Sequence, residues 1–235
     1  MIISLFALVF IYSCKPQDAP TTFIDSRDDK EYKTVTIGSQ VWMAENLAYL
    51  PSVVGPDTDS HTEPYYYVYG YNGTFVAAAK GTANYQTYGV LYNWPAALTA
   101  CPEGWHLPSD AEWTQLQNYL IANGYNYDGT TTGDKIALSL ASATGWAASG
   151  NVGAIGNTNT AYDAYRNLTD FSALPGGYHV FDQTFLDVNL GSDWWSSTQY
   201  DSDEAWYRNL YYRQSYVDRN HIAKGDGFSV RCVKD

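Results

Sequence analysis

The sequence predicts a single α+β domain built from small twisted antiparallel sheets, two main helices and long irregular loops. Three observations support this prediction. A capped helical pattern follows Cys101, and short runs of alternating apolar and polar residues lie on both sides of it. Residues 147–170 show neither the helical nor the strand periodicity. With 235 residues, of which 45% are hydrophobic, the chain is long enough to bury one core.

The N-terminus is predicted to be an export and anchoring segment. Residues 2–11 are apolar but too few to span a bilayer, which takes about 20 residues. Because Ser13 and Cys14 follow, we expect residues 1–13 to be a lipoprotein signal peptide and Cys14 to carry lipid. The alternative is an apolar helix that packs on the domain. Residues 14–30 are rich in Pro, Thr and Asp and predict a flexible tether, so the folded domain covers residues 31–235.

Two hairpins are predicted at the start of the domain. Residues 32–37 and 40–43 alternate on either side of Gly38 and Ser39, which can form a turn. The tyrosine-rich run 65–69 precedes Asn72 and Gly73, which favour a second turn between strands.

The first helix is predicted to begin near Ser109. Ser109 and Glu112 have the spacing of a capping box, and Trp113, Leu116 and Leu120 then form one apolar stripe. Gly124 can end this helix in a left-handed conformation.

Asp134 is predicted to cap a second helix through residues 136–141. The following residues, 147–170, are predicted to be irregular, and strands are expected at residues 177–181, 194–198, 205–212 and 228–233.

The cysteines predict one disulfide bond. Outside the extreme N-terminus only Cys101 and Cys232 are present, so we expect them to be bonded, which favours an oxidising compartment. In the chain-entropy model this bridge is worth roughly 5 kcal/mol.

Six segments together resemble a known family. They are Asn-Trp-Pro-Ala-Ala at 93–97, Cys-Pro-Glu-Gly-Trp-His-Leu-Pro-Ser-Asp at 101–110, Gly-Trp at 145–146, Phe-Ser-Ala-Leu-Pro-Gly-Gly at 171–177, Trp-Trp-Ser-Ser-Thr at 194–198 and Phe-Ser-Val-Arg-Cys-Val at 228–233. In this order they resemble the Fibrobacter succinogenes major paralogous domain. The resemblance implies a C-type lectin-like fold, similar to that of formylglycine-generating enzymes, in a secreted or surface lipoprotein. Residues 15–18 resemble the signal that directs Bacteroidetes lipoproteins to the outer face of the outer membrane.

Charge and motifs argue against several function classes. A net charge of -12 disfavours nucleic acid as a partner, since binding phosphates needs clustered Lys and Arg. The copper-dependent oxidation performed by relatives of this fold needs free thiols, which we expect Cys101 and Cys232 to lack. The four histidines lie in separate segments and no hydrolase motif is present, so we expect no catalytic residues and interpret His106 as structural.

No cofactor is expected, with one open hypothesis. Asp201, Asp203 and Glu204 offer alternating oxygen ligands that suit calcium, but they lack the glycine and distal glutamate of an EF-hand loop. A solvated turn is the alternative reading of this segment.

The aromatic content predicts a binding surface. The chain has 22 tyrosines and 8 tryptophans, and aromatic faces stack on sugar rings while tyrosine hydroxyls form hydrogen bonds. We expect Trp105, Trp194 and Trp195 to be core residues. The expected ligand-binding residues are Tyr200, Tyr207, Tyr211, Tyr212 and Arg213.

These observations predict a lipid-anchored cell-envelope protein, exposed on the outer membrane, whose domain binds glycan without catalysis. The alternative is an accessory subunit that docks on an outer-membrane transporter or another surface protein. A stoichiometric protein partner in a pull-down would favour the second hypothesis, and sugar affinity of the isolated protein would favour the first.

Overall fold

The structure is a computed structural model that describes residues 21–181 and 184–235. Its strands are β1 (Thr21–Asp25), β2 (Lys30–Ile37), β3 (Gln40–Met43), β4 (Tyr66–Tyr67), β5 (Leu91–Tyr92), β6 (Trp105–His106), β7 (Gly176–Val180), β8 (Thr184–Val188), β9 (Gly191–Gln199), β10 (Glu204–Tyr211), β11 (Asp218–Ala223) and β12 (Val233–Lys234). Its α-helices are α1 (Val76–Lys80), α2 (Ala83–Tyr88), α3 (Trp94–Ala97), α4 (Asp110–Ala122) and α5 (Ala137–Leu140), and a 3-10 helix spans Thr160–Tyr165. Small antiparallel sheets with few helices agree with the predicted α+β class.

The first sheet joins both ends of the described chain in the order β1-β2-β3-β12-β6. The hairpin predicted from Gly38 and Ser39 is confirmed, because β2 and β3 pair from Thr34↔Met43 to Ile37↔Gln40. The last strand, β12, pairs with β3 on one side and β6 on the other. The C-terminus therefore lies beside the start of the domain.

The predicted tether is wrong over residues 21–30, because β1 pairs along β2 from Thr21↔Thr34 to Asp25↔Lys30. Phe23 stacks on Trp105 with ring centroids 4.6 Å apart, and buried Asp25 forms an ion pair with Arg27 at 2.7 Å. The polar composition of these residues suggested a tether rather than a strand. The one buried charge of the strand, Asp25, is tolerated because Arg27 neutralises it. The predicted signal peptide and Cys14 lie outside the described residues.

The second sheet has the order β11-β10-β9-β7-β8 and is antiparallel except for the β7–β9 pair. The strands expected at residues 177–181, 194–198 and 205–212 are confirmed as β7, β9 and β10. The strand expected at 228–233 is mostly wrong. Phe228 and Ser229 make only isolated bridges, to Tyr92 and Trp194, and Val233 alone belongs to a strand.

Helix α4 has the predicted ends. The Ser109 hydroxyl accepts the Glu112 N–H at 3.2 Å, and the Glu112 carboxylate accepts the Ser109 N–H at 2.8 Å. Gly124 has φ +76°, the left-handed conformation expected after the helix. Trp113, Leu116 and Leu120 are buried, as the apolar stripe predicted.

The second predicted helix forms within the expected residues but is shorter than predicted, because α5 has only 4 residues and no side-chain cap. The Asp134 carboxylate accepts the Ile136 N–H at 3.4 Å and a hydrogen bond from Gln117 of α4 at 3.1 Å. The chain becomes extended at Ala141, which bridges to Ala173. The second predicted hairpin is wrong: Tyr66 of β4 pairs with Tyr92 of β5, and α1 and α2 lie between these strands.

The core has two parts, on opposite faces of β9. Alternate residues of a strand point to opposite faces. Trp194 accordingly packs with Trp113 and Trp42, whereas Trp195 stacks on Phe228 with ring centroids 4.5 Å apart. Both tryptophans are buried, as predicted, and Trp105 is half-buried.

The predicted disulfide is confirmed: Cys101 and Cys232 are bonded, with Cα atoms 5.9 Å apart. It joins the approach to α4 to the end of the chain.

The region 147–170 contains no strand and only the 3-10 helix, as predicted. None of the helices in the described ranges has the length and apolar character needed to cross a membrane.

Candidate functional site

The structure brings three of the five predicted binding residues together: the Tyr212 ring lies 5.0 Å from that of Tyr211 and 4.9 Å from the Arg213 guanidinium. The other two, Tyr200 and Tyr207, are placed elsewhere. Tyr200 precedes β10, whereas Tyr211 ends it, and a strand of 8 residues separates its two ends by roughly 20 Å. Tyr207 packs inward against Phe228 at 4.8 Å, and Tyr212 is only 8% exposed. The alternation of residues along a strand shows which side chains share a face. It does not show which of the two faces is covered by the rest of the domain.

Tyr200 belongs to an exposed aromatic group at one end of the second sheet. Its ring, 48% exposed, stacks on His221 with centroids 3.7 Å apart and planes 6° from parallel. Trp206 lies perpendicular to both rings, 5.1 Å from Tyr200 and 5.3 Å from His221. The antiparallel register of β10 and β11 places Trp206 opposite His221. We call Tyr200, Trp206 and His221 the aromatic corner.

Charged side chains surround the aromatic corner. Glu204 contacts His221 Nδ1 at 2.5 Å. The Arg219 guanidinium lies 3.5 Å from the centroid of the Trp206 ring and donates two hydrogen bonds to Asp110, at 2.9 and 3.0 Å. Glu204 and Arg219 remain partly exposed, so they can also bond to a ligand. The group combines flat apolar faces with an acceptor and a donor at its edge.

The turn before β10 orients this group. Asp201 accepts the N–H groups of Asp203 and Glu204 at 2.8 and 2.9 Å, and these hydrogen bonds lower the pKa of Asp201. Lys224 donates to the carbonyls of Asp201 and Ser202 at 2.8 and 2.7 Å. Within residues 21–181 and 184–235, no group of three or more His, Cys, Asp or Glu side chains is arranged to hold a metal ion. Calcium binding at this turn stays a prediction.

A separate cleft of about 370 Å³ lies between β2, the segment after β3, α2 and the loop 170–174. Sequence reasoning did not identify it. Its charged lining residues are Lys30, Lys33, Glu45 and Asp170, and its uncharged polar ones include Asn46, Gln86, Thr87 and Ser142. The cleft and the aromatic corner share no residue. The cleft is therefore a second concave site on the same domain.

A buried guanidinium lies directly behind this cleft. Arg231 is 0% exposed and donates to the side-chain oxygen of Asn46 at 3.0 Å, to the carbonyl of Ser172 at 3.0 Å and to the carbonyl of Phe171. Burial lowers the pKa of Arg231 to about 9, and the charge of Glu45 opposes this shift. In the described part of the chain no carboxylate lies within ion-pair distance of it.

The loop that receives these hydrogen bonds has a strained backbone. Asp170 and Ser172 have φ of +54° and +55°, which costs non-glycine residues on the order of 1 kcal/mol each. The hydrogen bonds from Arg231 to two carbonyls of this loop offset that cost. Arg231 and the residues of this loop lie in two of the six motif segments, so the sequence marked both of them. No local pattern indicated that they are in contact.

Two of the histidines, His106 and His179, make close contacts with neighbouring side chains. His106 bonds to Asp235 at 2.7 Å and to Glu112 at 2.8 Å. Burial lowers the pKa of His106, but these two hydrogen bonds outweigh burial and raise it. His179 is buried and stacks on Tyr67 with centroids 4.0 Å apart. These contacts fit the structural interpretation of His106, which joins the C-terminal residue to the start of α4.

Comparison with models of protein families matches residues 35–234 to the Fibrobacter succinogenes major domain. No curated protein and no solved structure matches the chain.

Proposed function

The chain belongs to the Fibrobacter succinogenes major domain family, and from that premise we propose that it is a lipid-anchored protein of the bacterial cell surface whose domain binds glycan without transforming it. The aromatic corner is the observation that carries glycan binding. Sugar rings present C–H faces that stack on aromatic rings, and their hydroxyl groups bond to carboxylate and guanidinium groups. Tyr200, Glu204 and Arg219 offer these groups side by side.

The corner is suited to binding because its rings are already ordered. Tyr200 is fixed by its stack on His221, and His221 by its contact with Glu204. A ring that is held in place before binding loses little conformational entropy when the ligand arrives.

A C-type lectin-like fold is part of the proposal. The bond between Cys101 and Cys232, the pairing of β12 with β3 and the irregular region 147–170 support it. Together they describe a compact body whose ends meet and which carries a long loop region.

Anchoring through lipid on Cys14 is likewise proposed, with display on the outer face of the outer membrane. The apolar run at residues 2–11 and the Ser13-Cys14 pair support it. Incorporation of radiolabelled palmitate into the wild-type chain but not into Cys14→Ser, followed by protease treatment of intact cells, would test both statements.

Glycan binding is tested by screening the purified protein on a glycan array and measuring the Kd of each hit. We expect Tyr200→Ala to weaken binding about tenfold, since stacking of this kind is worth about 1.4 kcal/mol. Tyr216→Ala is the matched control, because Tyr216 is 41% exposed and lies outside the corner. Absence of any saccharide ligand, or equal effects of the two variants, would refute the proposal.

The docking alternative has one observation in its favour. Phe181 and Leu186, on the β7–β8 hairpin, are 47% and 43% exposed. If this hairpin binds a membrane-protein partner, a stoichiometric complex should be purified from solubilised membranes with the wild-type chain, and Phe181→Ser with Leu186→Ser should abolish it.

A further inference from the structure

The cleft behind α2 has an unusual charge for this chain, whose net charge is -12. Lys30 and Lys33 both line it, and neither forms an ion pair with a carboxylate of the described residues. Arg231 adds a buried cation behind the cleft, where three neutral oxygens accept its hydrogen bonds and its guanidinium lies 4.2 Å from the centroid of the Phe171 ring. Two lysines without an ion pair among the described residues therefore line one concave site of this acidic protein, and a buried guanidinium lies behind it.

Two carboxylates limit that positive charge. Glu45 and Asp170 also line the cleft, and Glu45 accepts the backbone N–H of Lys33 at 2.9 Å. Three cations against two carboxylates leave one positive charge. A singly charged anion matches this better than a doubly charged phosphate, because buried or partly buried charge is costly unless it is balanced.

The hydrogen-bond acceptors and polar side chains of the lining favour a ligand with hydroxyl groups. The carboxylates of Glu45 and Asp170 are strong acceptors for O–H donors, and Gln86 and Thr87 line the same cleft. A volume of about 370 Å³ lies at the lower end of small-molecule sites, which suits a ligand the size of a monosaccharide.

We propose that this cleft binds a hydroxylated monocarboxylate of monosaccharide size, of the uronic acid class. Its carboxylate lies on the side of Lys30 and Lys33, and its hydroxyl groups bond to Glu45 and Asp170. This site is distinct from the aromatic corner, so the inference does not rest on the glycan-binding proposal above.

The test is calorimetric titration of the full-length protein with sodium D-glucuronate, D-glucose and inorganic phosphate. We expect glucuronate to bind more tightly than either of the others, with a Kd that rises as NaCl is added, because salt screens the lysines. Lys33→Gln should weaken glucuronate binding about tenfold, as loss of a charged hydrogen bond does. Lys234→Gln, a change to an exposed lysine of β12 that does not line the cleft, should leave the Kd unchanged.

The outcomes separate this inference from the glycan proposal. Lys33→Gln alters an exposed side chain and leaves the backbone pairing of β2 intact, and Lys30→Gln provides a second variant with the same expected loss. Equal affinity for glucose and glucuronate, tighter binding of phosphate, or unchanged binding by both lysine variants would overturn it. If Tyr200→Ala abolishes glucuronate binding, the acid occupies the aromatic corner, and the cleft proposal fails while the glycan proposal stands.

Discussion

Asp193 should make the stability of the fold fall as pH rises, and Asp193→Asn should remove that dependence. Asp193 lies on β9 and is 4% exposed. One carboxyl oxygen accepts a hydrogen bond from Asn209 at 2.9 Å, and the other has no partner in the described structure. Burial raises the pKa of Asp193 to about 8, and the nearby Asp187, Asp226 and Asp218 add to the shift.

The magnitude follows from linkage between protonation and folding. Between the ordinary pKa of 3.8 and about 8, the folded state keeps a proton that the unfolded state has lost. Stability therefore decreases with rising pH across this window, by about 1.36 kcal/mol per pH unit. At pH 7 the loss spans about 3 units, or about 4 kcal/mol. An asparagine is neutral throughout and can still accept the hydrogen bond from Asn209, so Asp193→Asn avoids this loss.

Urea unfolding at pH 4, 6 and 7 measures the effect. We expect Asp193→Asn to match the wild type near pH 4 and to exceed it by about 4 kcal/mol at pH 7. Asp57→Asn is the control, because Asp57 is an exposed loop residue and its replacement should change stability little at any pH. A difference between wild type and Asp193→Asn that stays constant with pH would show that Asp193 is not protonated in the folded state.

Three further predictions concern stability. Replacing Cys101 and Cys232 by alanine removes a disulfide bond that spans a sequence separation of 131. The free energy of unfolding, measured by urea titration, should fall by roughly 5 kcal/mol. A loss below about 1 kcal/mol would contradict the chain-entropy account. Because the pKa of His106 is raised, its stabilising contribution should be complete below the ordinary pKa of 6.5 and disappear as pH rises through the folded value. Calorimetric Tm should therefore decline more steeply there in wild type than in His106→Gln, which keeps the contribution of Asp193; equal slopes would contradict this role of His106. Ser109→Ala removes the hydroxyl that accepts the Glu112 N–H in the capping box and should cost about 1 kcal/mol. Gln115→Ala, at an exposed site of α4, is the control, and equal costs would argue against the cap.

Local sequence patterns predicted the elements that depend on near neighbours. The start of α4 needs only Ser109 and Glu112, three residues apart, and the β2–β3 hairpin needs only a turn between two alternating runs. Both were predicted correctly for this reason. The disulfide was predictable because elimination left Cys101 and Cys232 as partners.

Predictions failed where a distant partner decides the outcome. The composition of residues 21–25 is that of a tether, but β2 supplies their hydrogen bonds. The second predicted helix is short, and its expected cap, Asp134, is shared with Gln117 of α4 and with Val217. The placement of the predicted binding residues has the same cause: Tyr211, Tyr212 and Arg213 meet, whereas Tyr200 meets His221. Alternation along β10 is visible in the sequence, but Phe228, which covers Tyr207, comes from the far end of the chain.

The sequence by itself determined the family, the α+β class, the helix cap, the cysteine pair and the burial of Trp194 and Trp195. Only the tertiary structure decided that these two tryptophans serve different halves of the core, that Tyr200 meets His221 and Trp206, and that Arg231 lies behind a cleft containing Lys33. Caps, turns and strand alternation are set by backbone and side chains within a few residues, whereas both candidate sites are formed by side chains from segments far apart in the chain, whose juxtaposition depends on the packing of the whole domain.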